Sequence, residues 1–309
     1  MSRIATYIAA SAIMLSMSGC FTGIESTPKI TASDVKREKV AVTEEDRYLD
    51  NVRHAPLDKW HEGKLFYVTD DKINLALEPS STPSPRQGDL LSFSKYRTVP
   101  SLTGEADTEL LFADSKGREV VYRLNSSPEE LARRSQIEIP FTIELSVVDS
   151  TMKAIKGKKF YIRTSMWYDK DGKARNGLKF IPVEVMDVLP GNSVYPVMVK
   201  FRNPELDNGQ PAYVFMSVGD SGNSSRNFAS LFFLNDPHLK YPQISDENWR
   251  NIIHGRIVKY MTREECRLAL GAPTSVDRRP GISTMQELWN YENGVYLIFD
   301  DGLLQSFRL

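Results

Sequence analysis

Two cysteines and four histidines in 309 residues leave no disulfide framework and little material for a metal cluster. An excess of charge of either sign is also missing. The chain sets 39 Lys and Arg against 40 Asp and Glu, a formal net charge of −1, so nothing marks a general basic face for displacing phosphate counterions, and nucleic acid is not an expected partner. Beyond the N-terminus no apolar run reaches the roughly 20 residues of a spanning helix, which excludes polytopic helical transporters and channels. What is present is ordinary globular material, 41% hydrophobic and 26% charged, too apolar for disorder throughout. At about 100–200 residues per domain, the length predicts two or three domains.

The N-terminus is unlike the rest. Arg3 is followed by an apolar stretch from Ile4 to Leu15 and then by Met17-Ser18-Gly19-Cys20. A short charged region, a brief apolar region and small residues at the end make an export signal over 1–19. The segment ending in Cys20 resembles the bacterial lipobox, with Met17 where Leu is more usual. That resemblance implies cleavage before Cys20, diacylglycerol on its thiol and acylation of the new amine. Two or three acyl chains hold a protein durably on a bilayer. Phe21 rather than Asp follows Cys20, which fits sorting to the outer membrane, facing the periplasm. Residues 20–56 alternate in charge without an apolar period and are expected to be a flexible tether, with a short helix around Glu44–Val52.

Ordered sequence is expected from near Trp60. Gly63-Lys64-Leu65-Phe66-Tyr67-Val68 reads as a strand opener, and a similar segment recurs at Gly157-Lys158-Lys159-Phe160-Tyr161-Ile162. Each opener is followed by a strand ending in proline (Pro100, Pro190) and then by a hairpin. The hairpin turns are Asp114–Gly117 and Asp207-Asn208-Gly209, the latter a strong turn signal because Asn and Gly tolerate positive φ. This pattern predicts a duplicated β-module, 57–150 and 151–244. Between the hairpins, Ser126–Leu131 reads as a short capped helix and Pro140–Val148 as a β-rich run. Gly219–Asn227 is expected as a polar loop, Phe228–Leu234 as a buried strand, and Asp236–Pro242 as a connector.

From Ser245 the period becomes helical, with Trp249, Ile252 and Ile253 on one face. A second helix opens with Thr262 as N-cap and Glu265 three residues on, a capping box. Gly271 ends it and Pro273 prevents continuation. Three strands follow, at Glu287–Tyr291, Val295–Phe299 and Leu303–Phe307, with turns at Glu292–Gly294 and Asp300–Gly302. Met261, Thr262, Glu265, Leu270, Gly271, Pro273, Trp289, Tyr291, Phe299, Asp301 and Gly302 together resemble the pattern of the BamE (SmpA/OmlA) lipoprotein family. Tyr260 stands where that family usually has Gly, and Cys266 where it often has Val. The resemblance spans 245–309 and implies an α-α-β-β-β domain serving as a protein-binding accessory in the cell envelope. The expected fold is thus α+β and mostly β, with two tandem small β-barrel or curled-sheet modules before this domain.

Catalytic constellations are weak. Gly219-Asp220-Ser221-Gly222 resembles a serine-protease nucleophile loop, yet neither His54 nor His61 lies in a matching context. Asp169-Lys170-Asp171-Gly172 starts like a calcium loop, but Lys173 and Phe180 occupy positions that need oxygen ligands, so a hairpin turn is expected. Cys266 with His254 is a conceivable thiol–base pair, but the helix pattern makes Cys266 core. No cofactor and no metal is expected. Trp167, Tyr168, Tyr195, Trp249, Trp289 and Tyr291 are the candidate partner contacts, since aromatics supply large contact area. The leading expectation is a non-enzymatic, lipid-anchored envelope protein that binds another envelope protein, as an accessory in outer-membrane assembly or maintenance. The alternatives are a cell-wall peptide or glycan binder, with Trp167, Tyr168 and Tyr195 lining its cleft, and an envelope hydrolase acting through Ser221 or Cys266.

Overall fold

The computed structural model describes residues 42–79, 84–101, 106–203, 209–219, 226–280 and 284–309. The export signal, Cys20, the turn residue Asn208 and Ser221 lie outside them. The protein is mixed α+β and mostly β, built from curled antiparallel sheets with few helices. No helix among the described residues is long and apolar enough to cross a membrane.

Five strands make the first sheet, in the order β4-β3-β2-β1-β5. They are β1 (Leu65–Val68), β2 (Leu90–Pro100), β3 (Ala106–Ala113), β4 (Glu119–Leu124) and β5 (Thr142–Glu144). Alternate residues point inward, so Phe66, Phe93, Leu110 and Phe112 pack with Trp60 and Ile73. Ser127 caps the short helix α1 (Pro128–Leu131), as its sequence predicts.

Seven strands make the second sheet, in the order β12-β6-β9-β10-β11-β7-β8. These are β6 (Lys159–Ile162), β7 (Met166–Tyr168), β8 (Ala174–Asn176), β9 (Ile181–Pro190), β10 (Val197–Arg202), β11 (Ala212–Met216) and β12 (Phe232–Phe233).

The two sheets match in detail. Phe66 of β1 lies opposite Leu91, and Phe160 of β6 opposite Val183. The third residue after each of those partners, Ser94 and Met186, is the extra residue of a β-bulge. Gly63 N–H donates to Phe93 O and Gly157 N–H to Val185 O, both at 2.8 Å. On the outer side of each opener, Thr69 N–H reaches Phe141 O and Arg163 N–H reaches Leu231 O, again both at 2.8 Å. The segment leaving each opener returns to the fourth strand, Leu77 bridging to Tyr122 and Tyr168 pairing with Tyr213, which curls the sheet over its core.

Four expectations are corrected here. Pro140–Val148 is not all β: after β5 the chain turns into helix α2 (Leu145–Ile155), whose Val147, Val148, Thr151 and Ile155 are buried at helical spacing. The division expected at residue 150 runs through this helix, which packs in the core of the second sheet. Phe228–Leu234 is a helical turn, α3 (Phe228–Leu231), capped by Asn227, followed by the two-residue β12. The tether expected to reach residue 56 is packed from Thr43 on. Thr43 caps a helical turn at Glu44–Arg47, Leu49 and Val52 enter the second core, and Tyr48 stacks on Phe228 at 4.5 Å between ring centroids.

The C-terminal region contains α4 (Asp246–Ile253), α5 (Arg263–Leu270) and a four-stranded sheet in sequential order. Its strands are β13 (Ser275–Pro280), β14 (Met285–Asn290), β15 (Tyr296–Asp300) and β16 (Leu303–Arg308). Sequence predicts three of them; β13, all of whose residues are exposed, carries no alternation to announce it. Glu265 accepts from Thr262 N–H at 2.6 Å and Thr262 Oγ1 from Glu265 N–H at 3.2 Å, completing the capping box. Met261 is buried, Leu270 ends α5 and Gly271 caps it at φ 91°. Lys179, buried at the joint with the second sheet, donates to Ala269 O at the end of α5.

Candidate functional site

The pleat of β7 decides which aromatics can meet a partner. Neighbouring residues of a strand face opposite sides. Trp167 therefore points into the core, its ring edge-on to Phe201 at 5.2 Å and its Nε1–H donating to Thr164 O at 2.9 Å. Met166 and Tyr168 point outward. Trp249 and Trp289 are also buried, 2% and 1% exposed. The three tryptophans fill cores, which corrects their listing among partner contacts by sequence. Tyr291 is half-buried, donates to Gly271 O at 3.2 Å and borders an open groove of about 380 Å³ with Leu270, Val295 and Leu309.

Tyr168 and Tyr195 are brought together by Arg226, a residue of the polar loop expected at Gly219–Asn227. The Arg226 guanidinium lies 5.8 Å from the centroid of each ring. Tyr168 is held by the β7–β8 hairpin, whose turn is tied by Asp169 Oδ1 accepting from Asp171 N–H and Lys173 N–H at 3.0 and 2.9 Å. Tyr195 sits in the β9–β10 turn, where Asn192 Oδ1 accepts from Val194 N–H and Tyr195 N–H at 2.9 and 2.8 Å. A Cβ on Gly191 would stand 2.1 Å from Tyr195 O, so the turn requires glycine there. Arg226 is fixed by its own backbone O, which accepts from Ser217 N–H at 2.9 Å, and by Nε–H donating to Phe215 O at 3.0 Å.

The ring of Phe215 meets Tyr168 edge-on at 4.8 Å. By register, Met198 lies beside Phe215 and Leu189 beside Met198 on the same outer face. The patch beside Arg226 is therefore apolar and aromatic, the composition enriched at protein interfaces, while farther along the same face Lys200 lies opposite Asp187 and Arg202 pairs with Glu184 at 3.0 Å. Among the described residues no carboxylate pairs with Arg226, and its Nη2 is closed off from solvent with no hydrogen-bond acceptor. Met166, 52% exposed, offers its sulfur to Tyr168 OH at 3.2 Å and to Arg226 Nη1 at 3.8 Å.

The chemical alternatives fare differently. Cys266 is 0% exposed, and burial followed by the neighbouring Glu265 charge pushes its thiol up to about 12, far from a reactive thiolate. His254 Nδ1 engages Arg250 O at 2.8 Å. Another polar cluster is buried beneath the first sheet. Lys64 donates to Glu144 at 2.5 Å and to Ser146 Oγ at 3.3 Å, Ser146 donates to Glu144, and His54 Nδ1 lies 3.2 Å from the same carboxylate. Burial pushes the Glu144 carboxyl up, but hydrogen bonds from His54, Lys64 and Ser146 and the Lys64 charge outweigh it and bring it down to about 2. So weak a base does not activate Ser146. The cluster instead pins the segment carrying His54 to β1 and β5. Among the described residues no group of three His, Cys, Asp or Glu side chains is placed to hold a metal ion.

Comparison with protein-family models finds no match, and neither the curated proteins nor the solved structures give one.

Proposed function

We propose that this is a lipid-anchored cell-envelope protein, not an enzyme, that binds another envelope protein through the outer face of its second sheet. The observation that carries the reading is Arg226 set between Tyr168 and Tyr195 beside an apolar patch, with no ion-pair partner among the described residues. Lipid on Cys20 fixes the protein to a membrane, most simply the outer membrane facing the periplasm.

A duplicated β-module is part of this proposal, supported by the matched bulges and hydrogen bonds of the two sheets. On that view the β7–β8 hairpin is what the second copy has gained. Where the first copy has a short 3-10 helix at Asp71–Leu75, the second presents Met166 and Tyr168. The helix pair, capping box and sheet of the C-terminal region support its BamE-like reading and a role in outer-membrane assembly. Wall-glycan binding has lost its tryptophan, since Trp167 faces the core.

The test is photocrosslinking in cells. Benzoylphenylalanine at Val194, 53% exposed beside Tyr195, should yield a discrete protein adduct, and at Leu75, 85% exposed on the first module, none. The Val194 adduct should weaken in a Cys20→Ala form, which should also fail to incorporate palmitate. Wall fragments alone, or no adduct at Val194, would overturn the reading.

A further inference from the structure

The geometry points to a carboxylate-binding site on this face: we infer that Arg226 and Tyr168 receive an acidic side chain of the bound protein, displacing Met166. The inference rests on the protein-binding reading above and adds the chemistry of the partner. An arginine with a buried, unpaired Nη2 is costly, because a donor withdrawn from water without an acceptor loses its hydration. Its other terminal nitrogen and the Tyr168 hydroxyl both converge on Met166 Sδ, a weak acceptor. One soft sulfur thus occupies the place where two donors meet. A carboxylate accepts from several donors at once and pairs with guanidinium in a charge-assisted fork. Met166 is free to leave, being unbranched, flexible and half exposed.

Charge complementarity selects the occupant. The described carboxylate closest in sequence to the tyrosine pair, Asp169, is committed to its own turn. The flanking surface, Phe215, Met198 and Leu189, is apolar. A free anion has no use for that surface, whereas a protein segment with Glu or Asp beside apolar side chains covers both parts. The outer tyrosine faces would then border the docked side chains, leaving Arg226 stacked as it is.

Titration of the purified full-length protein in detergent with acetyl-Leu-Glu-Leu-amide, its Gln counterpart and inorganic phosphate tests this, read by NMR at the arginine Nε–H signals. The Glu peptide should bind about tenfold more tightly than the Gln peptide, as expected for a hydrogen-bonded charge pair. Arg226→Lys should remove most of that preference, Tyr168→Phe should reduce it, and Met166→Ala should keep or strengthen it, with circular dichroism confirming that each variant folds. Equal binding of the two peptides, no binding of either, or tighter binding of phosphate would overturn the inference. If the Val194 photoadduct persists undiminished in Arg226→Lys, protein binding stands and the carboxylate site falls; if no adduct forms in the parent, protein binding itself fails.

Discussion

Glu144→Gln should be among the most destabilising single changes in the protein. Among the described residues its carboxylate is the only acidic group within hydrogen-bond reach of Lys64, and the two side chains are 4% and 5% exposed. Removing one partner of a buried pair strands the other's charge in a poorly solvated site, typically at about 3–5 kcal/mol. Linkage gives an independent figure. The folded carboxyl titrates at about 2 against an ordinary 4.5, and each unit corresponds to about 1.4 kcal/mol, so the ionised form contributes on the order of 3 kcal/mol. Because the folded value is depressed, that stability is fully present above pH 4.5 and is lost as the pH falls toward 2. Urea unfolding followed by tryptophan fluorescence would measure both effects. Trp60 is a useful reporter, its ring centroid lying 5.6 Å from Lys64 Nζ. The Gln variant should lose about 3 kcal/mol or more near neutral pH and show a flatter decline between pH 4.5 and 2. Replacing both partners, Lys64→Met with Glu144→Leu, should recover most of the loss, since no unpaired charge remains. A loss below about 1 kcal/mol in Glu144→Gln, or identical acid profiles for parent and variant, would refute the reasoning.

Gly177→Ala should destabilise by about 2 kcal/mol or more, because the new methyl would stand 2.0 Å from the Trp167 ring; thermal denaturation measures it. Lys179 predicts a rise with pH as well, but in an alkaline window: burial brings its folded pKa to about 8 from 10.5, so the unfolded state binds more protons between those values and stability should rise with pH across that window. Denaturation midpoints should show the rise in the parent and lose it in Lys179→Met. Cys266 should react with a thiol reagent only after unfolding, so labelling under native conditions should be slower by orders of magnitude than in denaturant, as its buried thiol at about 12 requires.

Local chemistry was legible in the chain. Thr262 and Glu265, Ser127 before Pro128, Ser245 before Asp246, and the turn at Asp114–Gly117 act through neighbours a few residues away, so spacing alone predicts them. The opener repeat at Gly63 and Gly157 was legible for the same reason: glycine, lysine and an inward Phe mark one local geometry twice. The pleat also held an unused clue. Trp167 and Tyr168 are adjacent in a strand and cannot line one cleft, whatever the fold.

Helix α2 was hidden differently. Its Val147, Val148, Thr151 and Ile155 repeat at helical spacing, but their β-branched side chains read as strand, and only packing against the second sheet favours the helix. The segment around Leu49 and Val52 is polar enough to read as linker; two apolar residues without a period become core only because the second sheet leaves room for them. Arg226 is the clearest case. Nothing near it in sequence marks it, and its role depends on Tyr168 and Tyr195, delivered by a hairpin and a turn from separate parts of the chain. Caps, turns and strand faces are short-range consequences of backbone geometry, so the sequence by itself determined them. Which faces are covered, which charges are paired and which arginine is left without a partner depend on residues far apart in the chain, and only the tertiary structure decided those.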